Sequence, residues 1–163
     1  MIIDFDLPFL HAAVALVDGQ LEILHREVKS SPDPDSYGIF DRIEYLTGFG
    51  LVACQTYATS ITGVARVNKG KALELGPRHR TGRSMIQLIN AAANYWKHSP
   101  EWSLDAHTDQ AEKTLETIES LGVVTDIGQY PIANTLYEML KPHNARFANL
   151  IPFLTQWRDA LRG

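Results

Sequence analysis

Five polar side chains recur at helical spacing within one short segment. Arg83, Gln87, Asn90, Asn94 and His98 are separated by steps of four, three, four and four. On an α-helix, residues three and four apart share a face, so this spacing predicts one polar row. The row combines a guanidinium, three carboxamides and an imidazole. Such a set can hydrogen-bond a phosphate or a ribose, or a symmetry-related copy of itself. Asparagine is disfavoured inside helices because its amide competes for backbone hydrogen bonds. Two asparagines in one helix interior therefore ask for a reason. They satisfy buried polar groups between helices, they bind a ligand or RNA, or they are simply exposed.

The same region is basic. Residues 66–98 hold seven Lys or Arg against the single acid Glu74, a net of +6, while the remaining eight bases and eighteen acids give −10. A basic segment inside an acidic protein points to an anionic partner or to an intramolecular acidic mate. Arg78, Arg80 and Lys97 join Arg83, Gln87 and Asn90 as candidate ligand-binding residues. Simple solvation of a Lys- and Arg-rich loop is the competing reading. The loop contains no phosphate-cradling motif, because GKALELGPRH lacks the Lys-Ser/Thr ending and follows no strand.

Other reactive residue types are less well placed. Cys54 is the one cysteine, which excludes an internal disulfide and a four-cysteine zinc site. It lies beside Val52, Ala53 and Tyr57 and reads as a small buried hydrophobe. His11, Asp18 and His25 recur every seven residues, two helical turns or ~10 Å apart, too far for one metal to hold all three. They are expected on a solvated face. Asp105 to Asp109 has metal-ligand residue types but also begins a helix, so capping is the preferred role. Trp96 is expected to anchor the core, with base stacking as the alternative for Trp96 and Trp102. No metal or cofactor is expected.

The elements that must position these residues are helices. Residues 6–29 carry apolar residues at Leu10, Val14, Val17, Leu21, Leu24 and Val28, a helical stripe. Residues 30–38, SSPDPDSYG, break the helix. A second long helix is expected from Ile39 to Val67, with Gly48, Gly50 and Ala53 permitting close approach. Two such helices joined by a short link pack as an antiparallel hairpin. A basic connection (68–83) containing one possible turn of helix leads to a third main helix, Ser84–His98. Further helices are expected at Asp105–Leu121, Pro131–Lys141 and 147–161, where Pro152 implies a kink or a late start. Residues 123–128 are the one strand-like piece. The reading is all-α: an antiparallel helical bundle in one domain, with residues 1–102 as its core and residues 103–163 packed on it.

With 163 residues, 45% of them hydrophobic, the chain can form a core without disulfides or metal. Its first residues lack a positive n-region, so no signal peptide is expected. No uncharged apolar run reaches ~18 residues, so no membrane span is expected. A cytoplasmic location follows as an expectation.

Two long helices, a connection and a helix ending in Ala93-Asn94-Tyr95-Trp96-Lys97-His98 resemble the HEPN superfamily of small helical bundles. The segments GFGLVACQTYATS (48–60) and INAAANYWKHSPEW (89–102) are similar to uncharacterised bacterial proteins of this kind. The resemblance covers roughly residues 8–102. It implies a homodimer with polar residues at a shared cleft, and an RNA- or nucleotide-associated role in stress, defence or toxin–antitoxin settings, where a cognate antitoxin is a further partner. Active members carry an Arg, often an Asn, and then a His. Matching Asn94 and His98 to that pattern places Ala93 at the arginine position. The resemblance thus leaves catalysis open. If it occurs, it is metal-independent RNA cleavage with His98 as base or acid and Asn94 orienting the phosphate. The alternative is a non-catalytic interaction bundle whose polar row seals a dimer seam.

Overall fold

The computed structural model describes residues 4–102, 108–126 and 128–161. Seven α-helices organise them: α1 (Leu7–Ser30), α2 (Ile39–Ala65), α3 (Lys69–Glu74), α4 (Met85–His98), α5 (Asp109–Glu119), α6 (Pro131–Leu140) and α7 (Ile151–Ala160). Residues 123–126 and 128 are not strand, and no strand occurs among the described residues. Val123 instead turns into the core. The expected start of α5 is corrected: it begins at Asp109 with Thr108 as its cap, the hydroxyl accepting from Ala111 N–H at 3.2 Å, so Asp109 lies inside the helix. Asp105 to His107 fall outside the described residues. At α7 the late start holds, because a 3-10 turn (Phe147–Leu150) runs into a new helix with Pro152 in its first turn.

Helices α1 and α2 run antiparallel. The start of one meets the end of the other, where the Ser60 hydroxyl donates to Asp6, and Arg42 pairs with Glu27 at 3.0 Å. The expected stripe of α1 is the buried one: Leu10, Val14, Val17, Leu21 and Leu24. Gly48 and Gly50 on α2 permit close approach, though of aromatic rings rather than of another backbone. A Cβ at Gly48 would collide with Trp96, and one at Gly50 with Phe147. Gly19 has open space around it, so neither close packing nor contact explains it.

Helix α4 is the hub of the fold. Ile86, Leu88, Ile89 and the small run Ala91 to Ala93 are buried, and α4 touches α2, α3, α5, α6 and α7. Its start is set by a capping box: Ser84 Oγ accepts from Gln87 N–H at 3.1 Å, and Gln87 Oε1 accepts from Ser84 N–H at 2.9 Å. Such boxes satisfy two of the backbone donors left free at a helix start.

Three carboxylates near the N-terminal half hold the C-terminal elements. Glu44 accepts from Ile132 and Ala133 N–H at 2.8 and 2.7 Å, capping α6. Asp4 accepts from Arg158 at 2.7 Å and from the Tyr57 hydroxyl at 2.7 Å. Asp18 accepts from Phe147 and Ala148 N–H at 2.8 and 3.0 Å. This corrects the expectation for Asp18: it is buried, 7% exposed, while His11 and His25 are the exposed members of that series. An early acidic residue on an apparently polar face is thus a distant cap, satisfying backbone groups that burial would otherwise leave unpaired.

Helix α1 is long and apolar enough to cross a membrane by length and composition, contrary to the expectation that no segment qualifies. Its most apolar 18-residue stretch has a mean hydropathy of 1.4, and 33% of that stretch is buried in the bundle. Asp18 and the buried stripe give this helix the contacts of a core element.

Candidate functional site

The polar row of α4 does not stay together. At its N-terminal end Arg83 precedes the helix and donates from Nε to Ser120 Oγ at 3.2 Å, beside α5. Gln87 is occupied by the capping box. At the C-terminal end His98 is exposed, and its Nδ1 lies 3.4 Å from Glu101 Oε2. The structure therefore separates the imidazole and the guanidinium and gives each a different neighbour.

The middle of the row converges on one residue of α2, Gln55. Its Nε2 donates to Asn90 Oδ1 at 2.9 Å and to Asn94 Oδ1 at 2.8 Å. Its Oε1 accepts from Lys97 Nζ at 2.7 Å. Positions 90, 94 and 97 lie on adjacent turns, which puts all three within reach of a single carboxamide. Gln55 is 7% exposed, so these bonds replace water for a buried polar group. The two asparagines thus have the interhelical partner that their helix position required.

Sequence reasoning missed Gln55. Its signal was a large polar residue directly after Cys54 in an otherwise apolar stretch of α2. It also missed Lys69, at the start of α3, which stands near Lys97. The Lys97 ammonium is held below its ordinary pKa by burial and by the charge of Lys69. Neither lysine forms an ion pair among the described residues.

The basic connection is largely tied down by the protein itself. Arg78 donates to the carbonyls of Gly82 and Glu74 at 2.7 and 3.2 Å. Arg80 pairs with Glu138 of α6 at 2.8 Å, an acidic mate within the chain. His79 is buried beneath it. Thr81 N–H donates to His79 Nδ1 at 3.3 Å, so the neutral ring carries its proton on Nε2 and donates to Glu138 O at 3.2 Å. Burial, with Arg80 nearby, holds the His79 pKa below its ordinary value although Glu138 opposes the shift. Trp157 of α7 closes the connection from inside, donating from Nε1 to Ala72 O at 2.7 Å.

Cys54 is fully buried, and desolvation with the charge of Asp18 pushes its thiol up to about 12. Both burial and this shift favour the protonated thiol, whereas the thiolate is the reactive form. Among the described residues, no three His, Cys, Asp or Glu side chains are grouped to hold a metal.

A second feature lies on the opposite side of α2. An apolar groove of about 600 Å³ runs between α1 and α2, with Trp96 at one end. Large apolar side chains stand on its rim in solvent: Phe9 is 73% exposed, Leu16 77% and Phe49 58%. Phe49 and Tyr45 each meet Trp96 edge-on, at 6.0 and 5.3 Å between ring centres. Trp96 thus anchors α4 against α2 and also forms part of the groove wall.

Compared with protein-family models, curated proteins and solved structures, the chain matches none.

Proposed function

We propose that this chain is a HEPN-like helical module that works as a homodimer and as an interaction protein, joined through the groove face of α1 and α2. The observation that carries this reading is the pairing of a groove with protruding apolar side chains on one face. Phe9 and Leu16 offer knobs, and the space between α1 and α2 offers the hole. A two-fold interface joins the same patch on both copies, so a face that carries both protruding side chains and a groove supports such a pairing. Asp6 is the one formally charged residue lining the groove, so two copies meet there with little like-charge repulsion. Exposed apolar patches of this kind mark interaction sites in proteins otherwise covered by polar groups.

The non-catalytic form of the reading is favoured by the dispersal of the polar row. Metal-independent RNA cleavage needs a base at the 2′-hydroxyl and a cation at the phosphorane. His98 faces Glu101, Arg83 faces Ser120, and Ala93 is buried where the family pattern has arginine. The polar row seals the α2–α4 seam within one chain, so the dimer seam is assigned to the apolar face instead.

RNA association in a cytoplasmic stress, defence or toxin–antitoxin setting is a second reading. It is favoured by Arg66, Lys69, Lys71 and Lys97, which are exposed and form no ion pair among the described residues. Light scattering tests the first reading. A mass of about twice the 18.2 kDa chain is expected at micromolar concentration, and a lone 18.2 kDa species throughout would reject it. For the second, binding to mixed RNA is expected to fall steeply with added salt. Metal-free incubation of wild type and His98→Ala with the same RNA is expected to show no difference in cleavage.

A further inference from the structure

The recess beside Gln55 has a bonding polarity that the α2–α4 seam does not need. Within the cluster every carboxamide oxygen is engaged: Asn90 Oδ1 and Asn94 Oδ1 accept from Gln55, and Gln55 Oε1 accepts from Lys97. The donors are left over. Asn90 Nδ2 and Asn94 Nδ2 have no hydrogen-bond partner among the described residues, and the Lys69 ammonium has no acidic mate there. No buried side-chain polar atom among the described residues lacks a partner, so these remaining donors open to solvent. With the Lys69 ammonium they present N–H groups and a positive charge, the chemistry that recognises an anion.

The recess itself lies between α2, α3, α4 and α7. Asn90, Gln55 and Lys69 line its polar side, and Ala58, Leu73, Ile86 and Trp157 line the apolar side. Its volume is about 140 Å³, close to that of cavities that accept a benzene-sized group. The hydroxyls of Thr59 and Thr62 on the wall donate to their own helix, to Gln55 O and Ala58 O. Their oxygens remain available to accept from a ligand hydroxyl.

We propose that this recess binds a small organic anion, with a carboxylate or phosphate head at Lys69 and the Asn90 amide and a ring-sized apolar body against Leu73, Ile86 and Trp157. Its lining shares no residue with the groove between α1 and α2. The site therefore stands or falls independently of the dimer.

Calorimetric titration of the full chain with benzoate, phenyl phosphate and neutral benzyl alcohol tests the site. Saturable one-to-one binding of at least one of the two anions is expected, with benzyl alcohol weaker by about tenfold, the worth of a hydrogen bond to a charged group. Lys69→Gln is expected to weaken the anion by a similar factor, and Lys71→Gln, an exposed neighbour that does not line the recess, to leave it unchanged. Both lysines are exposed, so neither substitution threatens the fold. Leu16→Glu, which addresses the dimer, is expected to bind the anion as wild type does. The proposal is overturned if no probe saturates in the millimolar range, or if benzyl alcohol binds as well as the anions. Equal weakening by the Lys69 and Lys71 variants, or binding confined to single-stranded RNA, overturns it in favour of diffuse attraction to polyanions.

Discussion

The Lys97 ammonium donates to Gln55 Oε1 at 2.7 Å, joining the last turn of α4 to the middle of α2. The same carboxamide donates to Asn90 and Asn94 through its nitrogen. One buried side chain thus closes four interhelical hydrogen bonds, counting a longer one from its Nε2 to Asn90 O at 3.4 Å. Gln55→Leu leaves two amide oxygens and an ammonium without their partner. The expected cost is about 2–3 kcal/mol, since each stranded group loses its bond without regaining full hydration. Asn94→Ala removes a single contact and is expected to cost about 1 kcal/mol. Urea unfolding midpoints of the two variants check the ordering.

Asp18 makes the second long-range tie. Its two oxygens accept from consecutive backbone N–H groups 129 and 130 residues away. Asp18→Ala leaves the buried Phe147 N–H and the part-buried Ala148 N–H without their acceptor and is expected to destabilise by about 2–4 kcal/mol, whereas Asp18→Asn keeps one acceptor and costs less. Limited proteolysis is expected to cut Asp18→Ala first near residues 141–147, ahead of the turn that Asp18 caps.

Two helical glycines should respond in opposite directions to the same substitution. Gly19 has nothing within 4 Å of an added Cβ, so Gly19→Ala is expected to stabilise by up to ~1 kcal/mol through helix propensity and a less flexible unfolded chain. Gly50→Ala drives a methyl into the buried Phe147 ring. It is expected to destabilise by about 1–3 kcal/mol, and Gly50→Ala with Phe147→Leu is expected to recover part of the loss. Thermal midpoints of the three variants decide the matter.

Protonation of His79 opposes folding. Its folded pKa lies below the ordinary histidine value, so between the two values the unfolded chain holds the extra proton. The stability this neutral ring contributes is therefore complete above pH ~6.5 and declines as pH falls below that value toward the folded pKa. A charged ring also loses the acceptor nitrogen that receives Thr81 N–H. His79→Gln removes this dependence. The difference in unfolding free energy between wild type and His79→Gln is expected to favour wild type less at pH 5.5 than at pH 7.5. Taking the difference cancels Glu44, whose carboxyl burial raises and which the backbone of Ala133 and Ile132 and the charge of Asp41 also affect.

The helices were legible because their signals are local. Apolar spacing over Leu10 to Leu24, Pro152 near the start of α7 and the break at 30–38 each act within a few residues. Asn90 and Asn94 were legible as one face, but neither their partner nor the part Lys97 plays beside them was. Gln55 is 35 to 42 residues away from them in sequence, and periodicity within one helix carries no information about the neighbour it meets. Asp18 was misjudged for the same reason: its heptad spacing with His11 and His25 concealed a cap on a turn 129 residues later. The segment 123–128 shows the converse, a β-prone run of valines whose surroundings are helices with no strand to pair with among the described residues.

The central claim is that copies of this chain join through the groove face of α1 and α2. Sedimentation velocity of wild type, Leu16→Glu and Val124→Glu addresses it most directly. Leu16 stands on the groove rim and Val124 is an exposed apolar residue away from it. Wild type and Val124→Glu are expected to sediment as dimers and Leu16→Glu as a folded single chain of unchanged helicity. A wild type that sediments as a monomer, or a dimer that survives Leu16→Glu, would contradict the claim.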